Sequence, residues 1–182
     1  MTPVSRAILW LFPTAVLSVL PITPSFANHD TTYFSIEHSA FSVANSHAGN
    51  AEFEPTGVRL KVGTRLSYAF DIEAHVAATS DDSTPMFDQF NARLTGVYLK
   101  GYLPLGSRSA LYGLGGYSWT KFIAITDDEE YIDRQSGFSY GFGVETRLSK
   151  NIDLSADFMN YSQQNEQYNE VASVSFGVKV YF

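Results

Sequence analysis

The chain has 182 residues, 45% of them hydrophobic and 15% aromatic, with no Cys and a formal net charge of -7. That length allows one domain, and the composition is too apolar for a disordered chain and too polar for a helical membrane protein. The acidic balance argues against a general nucleic-acid partner, and the lack of Cys excludes disulfides, thiolate zinc sites and cysteine nucleophiles.

The first segment, MTPVSRAILWLFPTAVLSVLPITPSFA, carries one cation at Arg6 and then an apolar run from Ala7 to Leu20 broken by Pro13. The run is about 14 residues long, short of the roughly 20 that a spanning helix needs. Pro21, Pro24 and Ser25-Phe26-Ala27 follow, with small residues at the positions a signal peptidase reads. This predicts a signal peptide over residues 1–27, cleaved after Ala27, and an exported domain over 28–182.

Downstream the recurring pattern is period two. Eight segments carry it: 32–43, 56–67, 70–79, 90–103, 110–122, 137–148, 152–161 and 171–182. The last sets Ala172, Val174, Phe176, Val178, Val180 and Phe182 on one face, and Ser173, Ser175, Gly177, Lys179 and Tyr181 on the other. The connections after the second, fourth and sixth segments are short. Those after the first, third, fifth and seventh are long and polar (ANSHAGNAEFEP, SDDSTPMFDQ, IAITDDEEYIDRQS and SQQNEQYNE). Antiparallel strands of even number, with short turns at one end and long loops at the other, predict an all-β, eight-stranded, up-and-down transmembrane barrel.

A soluble lipocalin-like barrel shares the alternation but turns its apolar face inward. The signal segment, the loop asymmetry and the aromatics Phe70, Phe138 and Phe182 near strand ends favour the membrane barrel, with the apolar face toward lipid. A cation facing lipid at mid-depth costs about 2 to 4 kcal/mol, so the charged parity belongs to the lumen. Glycines at Gly63, Gly141, Gly143 and Gly177 suit a narrow interior.

With these features, the stretch YLKGYLPLGSRSALYGLGGYSWTKF and the terminal SFGVKVYF, the chain resembles the small eight-stranded outer-membrane barrels. These are the OmpA transmembrane domain and OmpX/Ail-like group, the outer membrane protein beta-barrel domain. The resemblance implies the Gram-negative outer membrane, reached through the periplasm. It also implies contact with outer-membrane lipid and lipopolysaccharide, and insertion by the barrel assembly machinery. In that family a terminal aromatic preceded by alternating apolar residues is the assembly signal, a pattern that Phe176, Val178, Val180 and Phe182 fit. Nothing follows the last strand, so the peptidoglycan-binding domain of full-length OmpA is not expected.

The parity directs Glu37, Arg59, Lys61, Arg65, Glu73, Lys100, Glu145, Arg147, Asp157 and Lys179 into the lumen. Eight strands leave an interior just wide enough for side chains, so opposite charges there should pair and plug it; a narrow or gated ion path is the alternative. Arg93 has the opposite parity from Lys100, which calls for a bulge or a rim position.

No enzyme and no cofactor is indicated. Lipid A deacylases of the PagL type carry His and Ser two apart on a strand; here His38-Ser39 would face opposite ways, and Ser46-His47 only imitates the loop-borne pair of a PagP-like acyltransferase. No histidine shows metal-ligand spacing. The run Asp127, Asp128, Glu129, Glu130, Asp133 reads as a solvated loop, or as a site for a divalent cation without the ordering of a calcium loop. Phe53, Met86, Phe87, Tyr131 and Tyr168 give the long loops apolar anchors, for contact with host or surface ligands or for packing on one another. The two functional expectations are a monomeric barrel that displays loops for adhesion or membrane integrity, and a narrow porin-like channel or small-solute transporter. Modification of lipid A is the remote third.

Overall fold

The computed structural model describes residues 31–45, 51–80, 82–84, 87–126, 129–161 and 168–182, in which every regular element is a strand. In chain order these are β1 (Thr32–Asn45), β2 (Ala51–Phe53), β3 (Thr56–Arg65), β4 (Phe70–Thr79), β5 (Asp82–Thr84), β6 (Phe87–Pro104), β7 (Ser109–Thr126), β8 (Glu129–Arg147), β9 (Ile152–Tyr161) and β10 (Tyr168–Tyr181). Eight of them form the wall in the order β1-β3-β4-β6-β7-β8-β9-β10, each antiparallel to its neighbour. Pairing of β10 back onto β1, from Tyr33 opposite Tyr181 to Asn45 opposite Tyr168, closes the barrel. Closure leaves no unpaired edge, which a spanning sheet requires because lipid offers no hydrogen bonds to bare backbone.

Short turns sit at one end. The Leu66 and Ser67 amides both donate to the Phe70 carbonyl, Leu148 and Ser149 do the same to Ile152, and the Ser67 hydroxyl accepts from the amides of Ala69 and Phe70 at 3.2 Å. The turn between β6 and β7 contains Gly106 at φ 112°, a left-handed conformation that a Cβ disfavours.

At the other end the strands run further than the alternation indicated. The β7–β8 ladder continues to Thr126 opposite Glu129, so Glu129, Glu130 and Asp133, expected in a loop, belong to a strand. Phe122, Ile123 and Ile132 are aromatic or β-branched, residue types that favour extended backbone, and they flank the charges on the two strands. Phe138 consequently lies inside β8, not near its end. β2 folds back on β1 and β5 on β6, so parts of two other long connections are also strand. The signal segment with Ala27, the acidic Asp127 and Asp128, and Ser46-His47 lie outside the described residues.

Side chains alternate in and out with the pleat. Outward stand Ile36, Val62, Val76, Leu99, Phe142, Val174, Phe176 and Phe182, all substantially exposed. Inward stand Ser, Tyr and charged side chains, nearly all of them buried. In water this distribution would be inverted; against hydrocarbon the apolar face is the one that costs nothing.

Candidate functional site

The lumen is the site, and it is layered along its axis. Nearest the short turns is a rim of tyrosines and carboxylates. The Tyr33 hydroxyl donates to Glu73 at 2.6 Å and Asp71 at 3.1 Å, Tyr102 to Asp71 at 2.6 Å and Tyr181 to Asp153 at 3.0 Å. Arg65, about one-third exposed, reaches Asp71 at 3.4 Å.

Above the rim lie two ionic clusters. In the first, Arg59 and Lys61 of β3 bridge Glu37 on β1 and Asp157 on β9. Arg59 holds Glu37 at 2.6 Å and pairs directly with Asp157, while Lys61 pairs with Glu37 and lies 3.3 Å from Asp157. The Tyr112 hydroxyl donates to Asp157 at 3.1 Å, Ser155 to Glu37 at 2.9 Å, and Arg59 also donates to the Tyr161 hydroxyl at 3.1 Å. In the second, Lys100 of β6 joins Glu73 at 3.2 Å and Glu145 at 3.0 Å, and Lys179 of β10 meets Glu145 at 2.6 Å. The Lys100 ammonium lies 3.8 Å from the centre of the Tyr112 ring and that of Lys179 4.5 Å from Tyr33, a favourable placement for a desolvated cation. His75 sits between Glu73 (2.8 Å) and the Tyr98 ring, 4.3 Å away between centres.

Inward glycines make room for these rings. A Cβ on Gly63 would run into the Tyr33 ring, and one on Gly143 into that of Tyr112. Above the ions comes a hydroxyl layer, with Ser39 and Ser175 at 2.7 Å and Ser118 and Ser139 at 2.6 Å. It is followed by an apolar layer of Phe41, Val43, Ala77, Leu94, Phe122 and Val171, all buried. The void among these residues measures about 10 Å³, room for at most one water.

Of the charges assigned to the lumen from parity, Glu37, Arg59, Lys61, Glu73, Lys100, Glu145, Asp157 and Lys179 lie inside, each paired within one of the two clusters. Arg65 stands at the rim. Arg147, expected inside, is half exposed and only 3.6 Å from Asp153, because β8 ends there and its side chain clears the barrel mouth. Asp71, Asp153, His75 and Tyr33, Tyr98, Tyr102, Tyr112 and Tyr161 also line the interior, beyond the charges expected there. Their parity was the available signal: Asp71 and His75 flank Glu73 at two residues, and Asp153 precedes Asp157 by four. Arg93 needs no bulge; the β6 ladder is regular from Arg93 to Lys100, and Arg93 faces outward. His38 also faces outward, its ring 5.6 Å from Phe176, while Ser39 faces inward. Among the described residues no group of His, Asp and Glu is arranged to hold a metal ion.

The family model for the outer membrane protein beta-barrel domain matches residues 12–182. No curated protein sequence matches. Among solved structures, the Neisserial surface protein A, NspA, superimposes with a TM-score of 0.72 at 15% identity, covering 83% of this chain and 97% of that one. Ail, the attachment invasion locus protein of Yersinia pestis, does so at 0.65 and 16%, covering 85% and 99%, and has also been solved with the heparin analogue sucrose octasulfate. The N-terminal barrel of Pseudomonas aeruginosa OprF follows at 0.56 and 14%, covering 81% and 97%.

Proposed function

The chain belongs to the outer membrane protein beta-barrel domain family and is an outer-membrane protein, and on that premise we propose that it is a rigid, non-conducting barrel whose work is done by its outer-end loops. The observation that carries this reading is the filled lumen. Two ionic clusters, a hydroxyl layer and an apolar layer succeed one another, and the void in the apolar layer measures about 10 Å³. A conducting path would need water and ions to displace buried pairs, each ion of which costs several kcal/mol to leave uncompensated.

The loops then carry adhesion or membrane integrity. Ail is a protein of attachment and binds a heparin analogue, but the outer-end sequence here is acidic through Asp127, Asp128, Glu129, Glu130 and Asp133. A cationic partner, or one bridged by divalent cations, fits that charge better than a polysulfated one. We further propose that residues 1–27 are removed on export and that Phe176, Val178, Val180 and Phe182 guide assembly.

Planar-bilayer recording of the refolded barrel tests the central reading. It predicts no steady conductance, and a steady current that changes in Glu145→Gln would overturn it. Phe182→Ala should lower the amount of barrel migrating as the heat-modifiable form while leaving export to the periplasm intact. Mass measurement of the mature chain should give Asn28 as its first residue.

A further inference from the structure

Along the outer wall, the strand residues whose side chains are described are uncharged except in one row. Arg93 of β6 is the register partner of Lys121 on β7, and Lys121 is that of Arg134 on β8. Arg93 and Arg134 are exposed and Lys121 half-buried. Every ion pair of the described residues uses other cations.

The height of the row follows from strand geometry. From Leu103, at the short-turn end of β6, to Arg93 is about 33 Å along the strand at roughly 3.3 Å per residue. A tilt of about 40° makes that about 25 Å along the barrel axis, the height of the apolar band of an outer-membrane barrel. The row therefore stands at the outer-leaflet edge of the hydrocarbon, where lipid headgroups begin. Immediately below it, toward the membrane centre, are Thr95, Trp119 and Ser136, then Val97, Tyr117 and Phe138. The Trp119 and Tyr117 rings meet edge to face at 5.2 Å. Arg93, Trp119, Lys121, Arg134 and Ser136 border a shallow depression of about 290 Å³.

Adjacent strands are about 4.8 Å apart, so three like charges fall within about 10 Å and repel one another unless an anion joins them. The two guanidinium forks suit phosphate oxygens bidentately, and the ammonium between them adds a point charge. We propose that this row is a binding site for a phosphate group of an outer-leaflet glycolipid, whose acyl chain lies down the Trp119–Tyr117–Val97 face. This site is separate from the lumen and does not depend on whether the lumen conducts.

Trp119 is the single tryptophan of residues 28–182, so its fluorescence reports on the site directly. The refolded barrel in uncharged detergent micelles is titrated with bisphosphorylated lipid A. The expected result is a saturable change in Trp119 emission. At least tenfold more lipid should be needed by the variant carrying Arg93→Gln, Lys121→Gln and Arg134→Gln, and by the wild type offered lipid A stripped of both phosphates. Equal binding by the variant, equal binding of the dephosphorylated lipid, or saturation by inorganic phosphate at the same concentrations would each overturn the proposal. Folding of the variant is checked by its heat-modifiable migration. Should the triple variant fail that check, Arg134→Gln alone should still weaken binding at least threefold, and unchanged binding would equally refute the site.

Discussion

The two ends of the lumen are filled by opposite chemistries. Toward the short turns, Arg59, Lys61, Lys100 and Lys179 are locked to Glu37, Glu73, Glu145 and Asp157 across the barrel; toward the long loops, Phe41, Leu94, Phe122 and Val171 meet with almost no void. The ionic half derives its specificity from geometry: every charge needs its partner at about 3 Å, and a register slip of two residues would move it by roughly 7 Å. The apolar half tolerates imprecise partners but not missing volume. Together they separate two tasks, fixing which strand residues face one another and keeping water out.

That contrast can be broken from either side. Arg59→Leu leaves Glu37 and Asp157 facing each other with only Lys61 between them, and should lower unfolding stability by about 3 to 5 kcal/mol. This is read as a fall in the urea midpoint of the barrel in lipid vesicles. Leu94→Ala opens a cavity in the apolar half and should cost about 3 kcal/mol in the same assay. A loss for Leu94→Ala equal to or above that for Arg59→Leu would reverse the ranking of the two halves.

Gly143→Ala pushes a methyl group into the Tyr112 ring and so disturbs the ring that bonds Asp157 and covers Lys100. A loss of about 1 to 3 kcal/mol is expected from such overpacking. Tyr102→Phe removes a 2.6 Å hydrogen bond to the Asp71 carboxylate, worth about 1.5 to 3 kcal/mol when the acceptor is charged and toward the low end here because Tyr33 and Arg65 remain on Asp71. Smallest is Ser118→Ala in the boundary layer. It leaves the Ser139 hydroxyl without its 2.6 Å partner and should cost about 1 kcal/mol.

Much of this was legible residue by residue. Lys179 between Val178 and Val180, or Lys61 between Leu60 and Val62, can face only the lumen once the alternating apolar face is given to lipid. The same rule applies to Asp71, Asp153 and His75. What parity could not supply was height. Arg147 shares the parity of Glu145 yet clears the mouth, because only the end of β8 decides whether an inward-pointing side chain is still inside. Arg93 was ambiguous for a related reason: its outward direction makes sense only once its distance from the opposite end of the strand, and the cations beside it on β7 and β8, are known. The outer ends of β7 and β8 were masked by charge. Glu129, Glu130 and Asp133 suggest a loop, but backbone pairing across the hairpin persists through them.

The alternation by itself therefore determined the strand class and the inside and outside of the wall, since a two-residue repeat has only two faces and lipid accepts only one of them. Which charge meets which was decided by the closed barrel. Arg59 and Asp157 are 98 positions apart in sequence, and no local pattern relates them. They meet because closure of β10 on β1, and the stagger of the strands that closure imposes, bring their strands together across an interior one side chain wide.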